Sequence, residues 1–99
     1  MKLILGAPGS GKTKALLKLS EENNIPVLCE NSARVIRLLE KADGYGFRIP
    51  TPVVKEDLNE NIKEVYVDDV KILLETLLNV KLGAIVVNKD DDFGSIEVE

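Results

Sequence analysis

The sequence predicts an α/β fold, in which helices cover a mainly parallel sheet of about five strands, within a single domain of residues 1–99. Short apolar runs alternate along the chain with stretches whose apolar residues recur at helical spacing, a pattern typical of parallel sheets. A glycine-rich loop separates the first apolar run from the first helical stretch. Hydrophobic residues make up 44% of the chain and aromatic residues only 4%, so the predicted core consists of Leu, Ile and Val.

The first half of the chain is predicted to contain two strands and two helices. Residues 2–7 fit a buried strand, residues 12–23 a helix, and Ile25–Cys29 a second strand. Asn31 or Ser32 is expected to cap the second helix, and Gly44 is expected to end it. The expected apolar faces of the two helices are Ala15, Leu16 and Leu19, and Val35, Ile36 and Leu39.

The second half begins with an irregular stretch, because glycines and prolines in residues 44–52 disfavour a helix there. Val53-Val54 is expected to be a short extended piece, and residues 56–61 are expected to hold a turn of helix. A third strand is predicted over Glu64–Asp69, followed by an amphipathic helix that ends at Gly83. Its apolar face is formed by Val70, Leu73, Leu74, Leu77 and Leu78. Ala84–Val87 is predicted to be a fourth, buried strand, and residues 95–99 an edge strand.

The loop after the first strand has the Walker A pattern G-x-x-x-x-G-K-[ST]. It comprises Gly6, Ala7, Pro8, Gly9, Ser10, Gly11, Lys12 and Thr13. A loop of this kind wraps a triphosphate with its backbone N–H groups, and its glycines let the backbone approach the phosphates closely. The helix that follows adds its positive dipole end. Lys12 is expected to reach the β- and γ-phosphates, and Thr13 to bind Mg²⁺.

Charge and composition narrow the classes of function. Residues 1–54 carry a net charge of +3 and residues 55–99 a net charge of −7, which argues against broad, non-specific nucleic-acid binding. No histidine is present, so a zinc site is improbable, and the single Cys29 is expected to be a buried apolar side chain. The chain shows neither a signal peptide nor a membrane-length apolar run, so we expect a cytoplasmic protein without membrane contact.

A second motif follows the third strand. Val65-Tyr66-Val67-Asp68-Asp69 is similar to a Walker B motif, although Glu64 occupies the first of its usual apolar positions. Asp68 is expected to bind Mg²⁺, usually through water, beside Thr13. Asp69 precedes a helix and can also cap it. The polar ends of three strands, namely the glycine loop, Asp68-Asp69 and Asn88, are expected to meet at one edge of the sheet.

With both motifs in place, the chain resembles the P-loop NTPase superfamily, and most of all the branch with an added strand between the two motif-bearing strands. That branch includes AAA+ proteins, helicases, recombinases and thymidine-kinase-like proteins. The resemblance implies a three-layer α/β/α P-loop fold with strand order 5-1-4-3-2, in which Ala84–Val87 is strand 4. It also implies that Asp69 takes the place of a water-orienting glutamate and that Asn88 contacts the γ-phosphate or the attacking water. In size the chain is similar to small phage P-loop proteins.

The resemblance implies Mg²⁺-dependent ATP binding with slow hydrolysis, in which Lys12, Asp69 and Asn88 are catalytic. The domain would act as a switch or assembly unit. The chain departs from the family because Asp69 replaces glutamate and because no lid follows the sheet. The only arginines are Arg34, Arg37 and Arg48. An arginine finger would therefore come from one of these in a second copy of the chain, with Arg48 best placed, or from a protein partner.

Three alternatives stay open at this stage. Asn88-Lys89-Asp90-Asp91 matches the guanine-reading pattern N-K-x-D, but Asp68 lacks the D-x-x-G pattern of GTPases. A nucleotide kinase is disfavoured because the second half of the chain has no arginine. A module that binds a nucleotide or a protein without turnover is also compatible with the missing glutamate.

Overall fold

The structure is a computed structural model that describes residues 1–89 and 94–98. Five strands and three helices alternate along it, with one 3₁₀ turn at Lys55–Asp57. The strands are β1 (Lys2–Gly6), β2 (Val27–Cys29), β3 (Val53–Val54), β4 (Tyr66–Val67) and β5 (Gly94–Val98). The helices are α1 (Lys12–Asn23), α2 (Ser32–Tyr45) and α3 (Val70–Leu78). The α/β class predicted from the sequence is therefore confirmed.

All strand pairs are parallel, but the strands form two sheets. One sheet pairs β1 with β5, so that Lys2 lies opposite Gly94 and Gly6 opposite Val98. The other has the order β3-β2-β4. The described residues do not form the single sheet of about five strands that the sequence predicts, since Ala84–Val87, the run expected to lie between the two motif-bearing strands, is outside any strand.

The core lies where α1 and α2 pack on β2. Its fully or nearly fully buried apolar side chains are Leu16, Leu17, Val27, Cys29, Leu38 and Ala42. The apolar face of α2 is rotated from the predicted one, since Leu38 and Ala42 are buried whereas Ile36 and Leu39 are exposed. Burial raises the pKa of the Cys29 thiol to about 11, with the nearby Glu30 carboxylate as a further cause. The thiol is therefore neutral near pH 7, as expected of a core side chain.

Two predicted helix ends are wrong. Helix α2 continues through Gly44 to Tyr45, and Gly46 ends it in the left-handed conformation with φ of 77°. The Phe47 N–H then donates to the Ala42 carbonyl over 2.8 Å, which closes the last turn of the helix. Helix α3 ends at Leu78, not at Gly83, because Asn79 takes the left-handed conformation.

Replacing Gly44 with alanine should stabilise the protein. Gly44 has no atom within 4 Å of the position that a Cβ would take and sits inside α2. The free energy of unfolding should rise by about 0.5–1 kcal/mol, because alanine loses less backbone entropy in a helix. Urea unfolding measures the change. Gly46→Ala is the matched control and should lower stability, since its φ is positive. A loss of stability in Gly44→Ala would contradict the continuation of α2 through this residue.

The segment after α3 differs most from the sequence-based expectation. Residues 79–89 form neither helix nor strand, and Val86 is 92% exposed. Helix α3 leaves Val70, Ile72, Leu77 and Leu78 exposed and buries Leu73. The edge strand predicted at residues 95–99 is present as β5, with Glu99 outside the described residues. Among the described residues, no helix has the length and apolar character needed to span a bilayer.

Candidate nucleotide-binding site

The glycine loop between β1 and α1 has a backbone that few residues other than glycine adopt. Gly9 and Gly11 have φ angles of 78° and 94°, in the region where a Cβ would be strained. The Ser10 N–H donates to the Ala7 carbonyl over 3.1 Å and closes a tight turn. Gly11 is the N-cap of α1 and has no side chain to accept from the first helical N–H groups. The N-terminus of α1 therefore has no side-chain cap, and an uncapped helix N-terminus attracts anions.

Gly6 begins this loop at a point where the chain is closely packed. A Cβ at Gly6 would lie 2.4 Å from the Ser10 hydroxyl oxygen and 2.4 Å from the Val98 carbonyl oxygen. The Ser10 hydroxyl is buried and has no hydrogen-bond partner among the described residues. A buried hydroxyl without a partner, in a loop of the anion-binding type, can donate a hydrogen bond to a phosphate oxygen after a local change in the loop conformation.

Lys12 folds back over the loop that precedes it. Its Nζ donates to the Ala7 carbonyl over 2.6 Å, an exposed contact. The ammonium group therefore lies at the mouth of the loop, at the N-terminus of α1. A phosphate bound by the loop would be a stronger acceptor than this neutral carbonyl.

Thr13 and Asp68 meet although they are 55 positions apart in the sequence. The Thr13 hydroxyl donates to Asp68 Oδ1 over 3.0 Å. Thr13 lies in the first turn of α1, and Asp68 directly follows β4. The two motifs identified in the sequence thus lie against each other, which is the arrangement that a shared metal ion requires.

The sequence named Arg34 only as one of three candidate arginine fingers from a second copy of the chain and did not predict its contact with Asp68. Its Nη2 forms an ion pair with Asp68 Oδ2, while Oδ1 of the same carboxylate accepts from Thr13. The two side chains are largely shielded, with 20% of Arg34 and 11% of Asp68 exposed. Arg34 lies in the first turn of α2, whose N-cap Asn31 accepts from the Arg34 N–H over 2.9 Å. This arginine therefore acts within its own chain in the structure.

The other two residues expected to be catalytic are Asp69 and Asn88. Asp69 has a left-handed backbone with φ of 63°, and its Oδ1 accepts from the Ile72 N–H over 3.2 Å. Its carboxylate caps α3, as the sequence suggested that it could. Asn88 is exposed and belongs to no strand. The residues Asp90 and Asp91 of the guanine-type pattern lie outside the described residues.

A cleft of about 240 Å³ opens beside the glycine loop. It is lined by Gly9 and residues 11–14 on one side and by Lys41 and Tyr45 of α2 on the other. Three of the side chains in this lining are lysines, so the cleft is positively charged although the whole chain has a net charge of −4. An anionic ligand is therefore the chemistry that the cleft favours.

The fit of this site to Mg²⁺ rests on its oxygen donors. A hydroxyl and a carboxylate converge at Thr13 and Asp68, and Mg²⁺ is commonly bound by one or two protein oxygens together with phosphate oxygens and water. Within residues 1–89 and 94–98, no cluster of three His, Cys, Asp or Glu side chains could hold a metal alone. The residues therefore fit an Mg²⁺ ion that arrives with a phosphate ligand.

Comparisons of the chain with protein-family models, with curated proteins and with solved structures gave no match. The function must consequently be inferred from the loop, the Thr13–Asp68 contact and the charged cleft.

Proposed function

We propose that the chain is a P-loop protein that binds a nucleoside triphosphate, ATP in the first place, together with Mg²⁺, and hydrolyses it slowly. It would serve in the cytoplasm as a switch or assembly domain. The observation that carries the proposal is the contact between Thr13 and Asp68, which brings the two motifs together over 3.0 Å. A glycine-rich turn without a nucleotide-binding role would not require the end of β4 to meet the start of α1.

The phosphate site would be built from the backbone of residues 6–13. The positive φ angles of Gly9 and Gly11 support this part of the proposal, because they turn the loop into the N-terminus of α1. Lys12 would exchange the Ala7 carbonyl for the β- and γ-phosphates. The partner of its ammonium then changes from a neutral oxygen to a charged one, which strengthens the hydrogen bond.

Mg²⁺ would be held by Thr13 and Asp68 and would supply charge neutralisation at the phosphates. Arg34 already neutralises Asp68 in the free protein. Asp68 would therefore have to loosen its ion pair with Arg34 in order to hold Mg²⁺. Release of the guanidinium toward the phosphates would keep it paired with a negative group.

The finer fold proposed is the three-layer P-loop fold with strand order 5-1-4-3-2. This order numbers the strands as predicted from the sequence, so its strand 3 corresponds to β4 and its strand 4 to Ala84–Val87. Two observed pairings support it, since β1 pairs with β5 and β2 pairs with β4. Within the described residues β1 and β4 each pair on one side only, so each has an edge available. The order assigns the place between them to Ala84–Val87.

Slow turnover, rather than fast turnover, is proposed because of Asp69. Its Oδ1 accepts from the Ile72 N–H, which fixes the direction of the carboxylate, and an aspartate is one methylene shorter than the glutamate that orients water in the family. An arginine from a second copy of the chain or from a protein partner would complete the site. Arg48 is exposed, and its backbone N–H donates to Glu21 over 3.0 Å, which fixes the loop that carries it.

The same capping contact favours a second candidate function, a module that binds nucleotide without hydrolysing it. In that module the bound triphosphate would stabilise one conformation of the protein. The protein would leave this conformation when the nucleotide is exchanged, not when it is cleaved. The two candidates share the binding site and differ only in phosphate release.

Thermal unfolding with Mg²⁺·ATP, Mg²⁺·GTP and Mg²⁺·tripolyphosphate tests the proposal. A ligand at a hundred times its Kd stabilises the folded state by about 2.7 kcal/mol. In a domain of this size that corresponds to a rise in Tm on the order of 10–20 °C. A rise with Mg²⁺·ATP and slow phosphate release are expected. A rise without phosphate release would favour the binding module, and a preference for GTP would favour the guanine-specific alternative. No rise with any of the three ligands would contradict the proposed function.

A further inference from the structure

Tyr45 forms the far wall of the cleft beside the glycine loop, and the proposed phosphate site gives it no role. It is the last residue of α2 and is 43% exposed, although it is a large aromatic side chain. The cleft joins it to Gly9 and residues 11–14. A ligand bound by the loop could therefore extend directly to the Tyr45 ring.

The Tyr45 ring is in contact with a second aromatic ring, that of Phe47. Gly46 reverses the chain after α2, and the ring of Phe47 then lies with its centroid 5.6 Å from that of Tyr45 at an interplanar angle of 43°. Phe47 itself packs against the core. Tyr45 is thus an aromatic platform whose support is partly buried, and a tyrosine held in this way loses little conformational entropy when a flat ligand stacks on it.

The side chains around the platform are cationic. Lys14 places its Nζ 5.3 Å from the centroid of the Tyr45 ring. Lys41 precedes Tyr45 by four positions on α2 and also lines the cleft; residues at this spacing are neighbours on a helix surface. Lys14 is exposed on its flexible stem, so a phosphate can draw its ammonium off the ring.

We infer that Tyr45 stacks against the base of the nucleotide whose triphosphate is held by residues 6–13, with Lys14 and Lys41 flanking the phosphates between them. The inference rests on the proposed function and adds the base subsite to it. Stacking on an aromatic side chain is tolerant of the base, because every base has a π-face. Tyr45 therefore contributes affinity for the nucleoside part of the ligand and none for the triphosphate alone.

Calorimetric titration of the full chain with Mg²⁺·ATP and with Mg²⁺·tripolyphosphate separates these contributions. Tyr45→Ala should weaken Mg²⁺·ATP binding by about tenfold or more and leave tripolyphosphate binding within about twofold. Tyr45→Phe keeps the ring and should bind both ligands like the unaltered protein. Tyr66→Phe is the matched control. Tyr66 is not among the residues that line the cleft, and its hydroxyl accepts a hydrogen bond of 2.9 Å from Asn23.

Three results would overturn the inference. If Tyr45→Ala bound Mg²⁺·ATP as tightly as the unaltered protein, the base would not stack there. If the affinities for Mg²⁺·ATP and for tripolyphosphate fell equally, Tyr45 would affect binding only by stabilising the fold. The proposed phosphate site would then remain valid, but without this base subsite. If the unaltered protein bound neither ligand, the proposed function would fail and the base subsite with it.

Discussion

Replacing Lys12 with alanine is expected to remove most of the stabilisation that Mg²⁺·ATP gives the protein. The Lys12 ammonium lies at the mouth of the glycine loop and donates there to the Ala7 carbonyl. A charge-assisted hydrogen bond to phosphate contributes roughly 1.5–3 kcal/mol, so the affinity should fall about tenfold to a hundredfold. Calorimetric titration with Mg²⁺·ATP measures the loss directly.

The unliganded Lys12→Ala protein should remain folded, because the bond it loses is exposed and contributes less than about 1 kcal/mol. Lys18→Ala is the matched control. Lys18 is exposed on the same helix and does not contribute to the described cleft lining, so its removal should leave the affinity nearly unchanged. Equal effects of the two substitutions would mean that lysine charge in general, and not the position of Lys12, attracts the nucleotide.

Replacing Gly6 with alanine is expected to give the largest loss of stability at the loop. The new methyl group would lie 2.4 Å from the Val98 carbonyl oxygen and 2.4 Å from the Ser10 hydroxyl oxygen. The serine side chain can rotate, but the Val98 carbonyl belongs to β5 and is fixed by its pairing with β1. Overpacking of this kind costs about 1–3 kcal/mol, and urea unfolding should show that loss.

Gly83→Ala is the control for Gly6→Ala. No atom lies within 4 Å of the Cβ position at Gly83, so this change should alter stability by less than about 0.5 kcal/mol. Gly6→Ala should also weaken Mg²⁺·ATP binding, since the shift needed to relieve the clash displaces the loop. A Gly6→Ala protein as stable as the unaltered one would contradict the pairing of β5 beside the start of the loop.

Local signals predicted the first half of the fold well. Helix α1 spans the predicted residues 12–23, since the glycine loop fixes its start and Asn24, in the left-handed conformation, fixes its end. Asn31 caps α2 as one of the two expected candidates, because its side-chain oxygen reaches the Arg34 N–H. These features depend on residues close together in the sequence, which periodicity and capping patterns describe.

Features that depend on distant residues were predicted less well. A run of four apolar residues such as Ala84–Val87 cannot specify its strand partners, and the structure leaves Ile85, Val86 and Val87 exposed. Gly44 is followed within two positions by Gly46, and only the positive φ of Gly46 shows which of them ends α2. In both cases the residue types fit the predicted element, but tertiary contacts decide where the element forms or ends.

The pairing of Arg34 with Asp68 has a signal in the sequence. Arg34 lies just after β2 and Asp68 just after β4, and the carboxyl ends of neighbouring parallel strands meet at one edge of a sheet. A basic residue after one strand and an acidic residue after its neighbour therefore predict an ion pair. Thr13 and Asp68 were expected to lie together as ligands of one Mg²⁺ ion, and their side chains are in contact in the structure.

The central claim, that a nucleoside triphosphate binds on residues 6–13, is tested most directly by an NMR titration of the ¹⁵N-labelled protein with Mg²⁺·ATP. The backbone amide signals of Gly9, Gly11, Lys12 and Thr13 should shift together and saturate with one affinity, because their N–H groups are the proposed donors to phosphate. The amide of Gly83 should change little. Saturable shifts confined to other parts of the chain, or no shifts at millimolar nucleotide, would contradict the claim.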